Sequence, residues 1–156
     1  MKKLNPEYVA SMRQLANSSP YFTLLCMRVC DIEVGSSHLE IDVAEKHLHA
    51  LGLVHGGVFA SIIDATAFWA GFSAVQDESA GATSVDLKLN YLAPAESGKL
   101  IAQGRLIKLG RTLVYAEASV TNENDKLLAH GTSTLIILRG QGMSDGSPLP
   151  PKFLDI

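Results

Sequence analysis

Within residues 57–72 the chain carries one charged side chain, Asp64, in a run otherwise built of apolar and small residues. A helix of that composition is apolar nearly all round and belongs in an interior. A lone carboxylate there is costly unless it is paired or functional. Immediately upstream stand His55, Gly56 and Gly57. Their glycines leave backbone N–H groups uncovered at a helix start, where the helix dipole favours negative charge. An oxyanion site and a carboxylate on one short stretch point to chemistry on an acyl group.

Asp64 follows Gly57 by seven residues, so the two share a helix face but lie roughly 10 Å apart along the axis. One helix cannot bring both to a single carbonyl carbon. Two copies packed with antiparallel helices about a two-fold axis can, with Asp64 of one copy approaching the glycine helix start of the other. The Gly57 N–H would then polarise a carbonyl oxygen, while Asp64 attacks the carbon or activates a water. Two structural alternatives stay open: Asp64 as an acid that pins helix to sheet, and Gly56-Gly57 as a device for close packing. His55 reads more readily as a hydrogen-bonding residue than as a general base. Ser84, in Thr83-Ser84 at a strand start, could present a hydroxyl to the site. His47, His49 and His55 lack an acidic or thiol ligand at a recurring spacing, so no metal site is expected. Lys108, Leu109, Gly110, Arg111 and Thr112 form a cationic turn, either merely solvated or suited to gripping phosphate.

The elements that must position these residues are readable in outline. Asn5-Pro6-Glu7 combines an N-cap, a first-turn proline and an early acid, and the stripe Tyr8, Val9, Met12, Leu15, Ala16 predicts a helix over 6–16. Asn17-Ser18-Ser19-Pro20 ends it. Residues 27–34 and 38–43 predict a hairpin, and the buried helix should fade near Gln76-Asp77-Glu78. Four β-prone stretches follow, 83–92, 99–108, 112–120 and 127–138, with turn-like breaks between them. Alternation is clear in Val85, Leu87, Leu89, Tyr91 and in Val114, Ala116, Ala118, Val120. A sequential antiparallel meander is the simplest pairing. The result is an α+β plan in which a curved sheet wraps one central helix, the wrap completed by a second subunit if need be.

At 156 residues and 47% hydrophobic composition the chain suits one domain with a real core. It divides into an N-terminal helix and connector at 1–24, the main domain at 25–139 and a Gly/Pro/Ser-rich tail at 140–156, flexible or ordered by contact. A net charge of −3 without a basic stripe argues against nucleic acid as a partner. The opening Met-Lys-Lys-Leu is broken by Asn5, Pro6 and Glu7 before any apolar segment, and no run is long enough for a membrane span, so a cytoplasmic location is expected. Cys26 and Cys30 make no Cys-x-x-Cys unit and read as buried free thiols.

His55-Gly56-Gly57 with helical Asp64, the run from Ser84 through Pro94, and Gly110-Arg111-Thr112-Leu113 together resemble the hotdog-fold acyl-CoA thioesterases of the phenylacetate-pathway (PaaI-like) type. The resemblance covers about 25–138. It implies a six-stranded antiparallel sheet around a central helix, and dimers or dimers of dimers joined through a continuous sheet. It further implies that Gly57 polarises the thioester carbonyl, Asp64 acts from the opposite subunit, and Ser84 helps position water. Coenzyme A, part of the substrate and not a separate cofactor, would be met by Tyr91, Lys108, Leu109, Gly110, Arg111, Thr112 and Leu113. One place departs from the pattern: His49 stands where members often carry Asn, and an imidazole there would make activity pH-sensitive. Two other roles fit such a fold, a non-catalytic acyl-CoA sensor and a hydratase or dehydratase acting on acyl thioesters.

Overall fold

Asn5 begins the first helix as its residue type predicts. In the computed structural model, which describes residues 2–155, its side chain accepts the Glu7 N–H at 3.0 Å and α1 runs Pro6–Asn17. Tyr8, Met12 and Ala16 form its buried stripe. Pro20 then opens a second helix, α2, Pro20–Leu25, where the sequence predicts a connector. Ser19-Pro20 is itself a start signal, a cap residue before a first-turn proline. Cys26 ends α2 in the left-handed conformation, φ 50°. Cys26 is exposed and Cys30 half-buried, so neither is the buried thiol expected from composition.

Six strands form the main sheet: β2 Met27–Glu33, β3 Ser36–Asp42, β4 Gly81–Tyr91, β5 Lys99–Leu109, β6 Leu113–Thr121 and β7 Leu127–Leu138. Their order is β2-β3-β5-β6-β7-β4, all neighbours antiparallel. A simple meander is therefore overturned at one place, since β4 pairs with β7 and not with β5. The reason lies in Pro94-Ala95-Glu96-Ser97-Gly98, which bonds elsewhere instead of closing a hairpin. Ala95 accepts the Val54 N–H at 2.7 Å and Gly98 accepts the Val43 N–H at 2.8 Å, carrying the chain away from β4 to begin β5 beside β3. This is the hotdog fold.

The central helix α3, Gly56–Ser73, packs on the inner face of the curved sheet. Ile62, Ile63, Ala67 and Ala70 are fully buried against it. Gly104 of β5 permits the close approach, because a Cβ there would stand 2.6 Å from both Ser37 Oγ and the Thr66 carbonyl. Burial is not uniform round the helix, however. Gly57, Ala60, Ser61, Asp64, Ala65 and Phe68, spaced at three and four residues, form a stripe that one chain leaves only partly covered. The helix ends at Ser73, slightly before the predicted fade.

The tail folds back on the domain. Leu4 and Lys3 of β1, Lys3–Leu4, pair with Phe153 and Leu154 of β8, Phe153–Leu154. Asn5 donates its backbone N–H to Lys152 O at 2.9 Å. Lys152, 3% exposed, donates from Nζ to the Phe72 and Val75 carbonyls at 2.7 and 2.8 Å and sits 4.0 Å from the Phe72 ring centroid. It thereby caps carbonyls at the C-terminal end of α3, where the dipole favours a cation.

Burial lowers the Lys152 pKa from its ordinary 10.5 to about 8, against the opposing pull of Glu78. Burial and Glu78 together push Tyr8 up to about 12. Between pH 8 and 10.5 the unfolded chain keeps the lysine proton that the folded chain gives up, so stability rises with pH, approaching ~3 kcal/mol over the window. Above pH 10 an unfolded tyrosine ionises while Tyr8 does not, and stability falls again. Urea unfolding from about pH 7 to about pH 11 should show the rise and the fall, and Lys152→Met should remove the rise alone. A rise that survives the substitution would contradict this assignment.

Candidate active site

Asp64 projects from the half-covered stripe of α3, and Ser84 of β4 donates to its Oδ1 at 2.7 Å. A bulge in β4 between Ser84 and Asp86 sets this aim. The extra residue is Val85, which lies 56% exposed instead of sharing an inner face with Leu87 and Leu89. Among the described residues Ser84 is the carboxylate's one hydrogen-bond partner. One oxygen is thus oriented, while Oδ2 is free to face a reacting group.

Asp64 borders two cavities. The larger, about 560 Å³, also contains Ser84, Phe68, Trp69, Leu15 and Met143; the smaller, about 270 Å³, contains Tyr21, Met27, Ser61 and Leu87. Phe59 and Phe72, by contrast, are core residues. A groove of about 680 Å³ between β1, α1 and β2 contains neither Asp64 nor Ser84 and stands apart from this site.

At the helix start, His55 caps α3 by accepting the Gly57 N–H on Nδ1 at 2.8 Å. The ring is then the neutral tautomer with its proton on Nε2. The N–H expected to polarise a carbonyl is therefore already occupied in this arrangement. Among the described residues the Gly56 N–H has no acceptor. Tyr91 lies over the same turn, its hydroxyl 3.3 Å from the Gly56 carbonyl and its ring close enough that a Cβ on Gly56 would approach it to 3.1 Å.

The remaining predicted residues fall in three places. His49 accepts the Leu51 N–H on Nδ1 at 3.0 Å and closes a loop turn, with no hydrogen bond to Asp64, Ser84 or the glycines. His47 is buried, with Nδ1 accepting from Ala44 N–H at 2.9 Å and Nε2 2.7 Å from Leu25 O, so both nitrogens are taken by the protein. Lys108, Leu109, Gly110, Arg111, Thr112 and Leu113 form the exposed β5–β6 connection. Among the described residues neither Lys108 nor Arg111 has a carboxylate partner, which leaves both cations available to an anion. Leu113 reaches β4 through Ile136 opposite Thr83, so this turn shares the Ser84 end of the sheet. Tyr91 is at the other end of β4, roughly 20 Å away.

Residues 51–129 match the family described as the Thioesterase superfamily. The chain belongs to the thioesterase superfamily. This thioesterase is 33% identical over 97 residues to mouse acyl-coenzyme A thioesterase 13, covering 61% of the chain and 68% of that relative. A thioesterase family protein from Silicibacter pomeroyi superposes with a TM-score of 0.77 at 26% identity, covering 85% of this chain and 99% of that one. A Haemophilus influenzae thioesterase, at 21% identity, shares the fold with a TM-score of 0.80 over 94% of this chain and all of that one. The matched segment includes His55, Gly56, Gly57, Asp64, Ser84, Tyr91 and the Lys108–Arg111 cations, but not α1, α2 or the tail. Among the described residues no helix of the thioesterase is long and apolar enough to cross a membrane.

The sequence reading missed Tyr21 and Phe22 of α2, and Met143 of the tail, as cavity residues. Ser19-Pro20 could have revealed α2. No local signal brings Met143 to the cavity at Asp64, because the tail's path is set by contacts distant in sequence.

Proposed function

We propose that this thioesterase hydrolyses acyl-CoA thioesters to free acid and coenzyme A, in sites shared between two copies of the chain. The observation that carries the reading is the Asp64 carboxylate, oriented by Ser84 at the mouth of an apolar cavity. The thioester carbonyl oxygen is received at an α3 start by the Gly56 N–H, and by Gly57 when His55 Nδ1 yields its bond. Asp64 of the other copy either takes a proton from the attacking water or attacks the carbon itself, forming an anhydride that water then opens. In both routes the carbon–sulfur bond breaks and the thiolate of coenzyme A leaves, to be protonated as the site resets.

Sharing is supported by three features. Gly56 and Asp64 lie about 12 Å apart along one helix, too far for one carbonyl carbon. The long strand β4 has a partner on one side only among the described residues, and such an edge needs cover. Pairing two β4 edges antiparallel brings the Tyr91 end of one copy to the Ser84 end of the other. Tyr91 and the helix start would then join Asp64, Ser84, Lys108 and Arg111, with the two cations holding phosphates of coenzyme A and Leu109, Gly110, Thr112 and Leu113 shaping their turn. No histidine hydrogen-bonds Asp64 among the described residues, which weighs against a hydratase that pairs His with acid.

Thiol release followed with a chromogenic disulfide, across phenylacetyl, hydroxybenzoyl and short, medium and long acyl-CoAs, tests the proposal. Release from at least one class is expected. Silence with every ester, while acyl-CoA binding persists, would replace the enzyme with a sensor.

A further inference from the structure

The two cavities at Asp64 have three residues in common: Asp64 and Ala65 on α3, and Phe22 on α2. Among the described residues Phe22 is thus the one side chain outside α3 that borders both spaces, the chamber of Leu15, Phe68, Trp69 and Met143 and that of Tyr21, Met27 and Leu87. α2 itself is a light cover. It contributes no buried residue, and the Ser19 hydroxyl donates back to Ala16 O at 2.6 Å instead of capping the α2 start. Phe22 and Leu25 pack on the core, and one hydrogen-bond chain ties α2 to α3: Tyr21 donates its hydroxyl to Ser61 Oγ at 2.6 Å, and Ser61 passes the bond on to Gly57 O at 2.8 Å.

On the chain that supplies Asp64, these two chambers are the spaces open to an acyl group whose carbonyl carbon reaches the carboxylate. The larger one also contains Ser84, is walled chiefly by apolar and aromatic side chains, and has about twice the volume of the other, about 560 against about 270 Å³. Resting on the thioesterase reading above, we propose that Phe22 is the specificity-determining side chain that ends the acyl chamber. It limits the substrate to aromatic or medium-chain acyl groups. The wall carrying it lies outside residues 51–129, whereas Phe68, Trp69 and Ser84 of the same chamber lie within them, so acyl selection here joins the matched segment to the N-terminal helices and tail.

Removing the ring joins the chambers. In Phe22→Ala the chain-length optimum should move to longer acyl groups, with kcat/KM gaining about fourfold for each methylene newly buried. Phe22→Trp should move it to shorter ones. The opposite directions separate a steric stop from a loosened fold, which would lower every rate alike. The experiment measures two quantities on wild type, Phe22→Ala and Phe22→Trp: thiol release from straight-chain acyl-CoAs of four to sixteen carbons, and calorimetric binding of the matching non-hydrolysable thioethers. Shifted profiles in binding support the role of Phe22 whether or not thiol is released. Unchanged profiles in both variants overturn it. Absence of thiol release from wild type would count against the thioesterase reading alone.

Discussion

Asp64→Asn lowers kcat for the best acyl-CoA by about 10²–10⁴-fold, the range for loss of a positioned base or nucleophile. The substitution keeps the side chain's size, and the amide Oδ1 can still accept the Ser84 hydroxyl that now donates at 2.7 Å. Folding and KM should change little, since the bond that orients the group survives and the position is only half-buried. Ser84→Ala is the milder companion: it removes orientation and leaves the carboxylate, so its loss should be smaller. Steady-state thiol release with both variants checks the order. Wild-type kcat in the Asp64→Asn enzyme would remove Asp64 from the chemistry.

Gly56→Pro is expected to cost about 10²–10³-fold in kcat, the effect of deleting one oxyanion donor. Proline removes the N–H and is tolerated at a first helical position. The preceding residue already has the extended backbone that proline demands, with His55 at φ −63° and ψ 139°. The added ring carbons press on Tyr91, so Gly56→Ala serves as the control: it brings the same Cβ contact at 3.1 Å and keeps the N–H. Equal losses in the two variants would show that displacement of Tyr91, and not the N–H, accounts for the effect.

What the sequence reveals here divides by range of interaction. The α3 start, its lone acid and the Asn5 cap are local patterns, and each appears where residue type and spacing put it. Which N–H at the α3 start is already paired was not legible, because that depends on where the His55 ring turns: it accepts from Gly57, and among the described residues the Gly56 N–H has no acceptor. Strand alternation found β4 but could not show the bulge that rotates Val85 outward and Ser84 toward Asp64. Nor could it show that β4 joins β7, since antiparallel alternation is the same whichever neighbour is chosen. The tail, rich in Gly, Ser and Pro, reads as loose, yet one lysine in it caps the central helix and one methionine borders the larger cavity at Asp64.

On the proposed reading, two copies of the chain complete each thioester-cleaving site. Co-expressing Asp64→Asn and Gly56→Pro chains with different tags, then assaying thiol release from the mixture, tests it most directly. Each parent alone has two damaged sites per dimer. A mixed dimer has one site in which an intact Asp64 faces an intact helix start, so random mixing should restore about a quarter of wild-type activity. A mixture no more active than its parents, with mixed dimers demonstrated by the tags, would contradict the account.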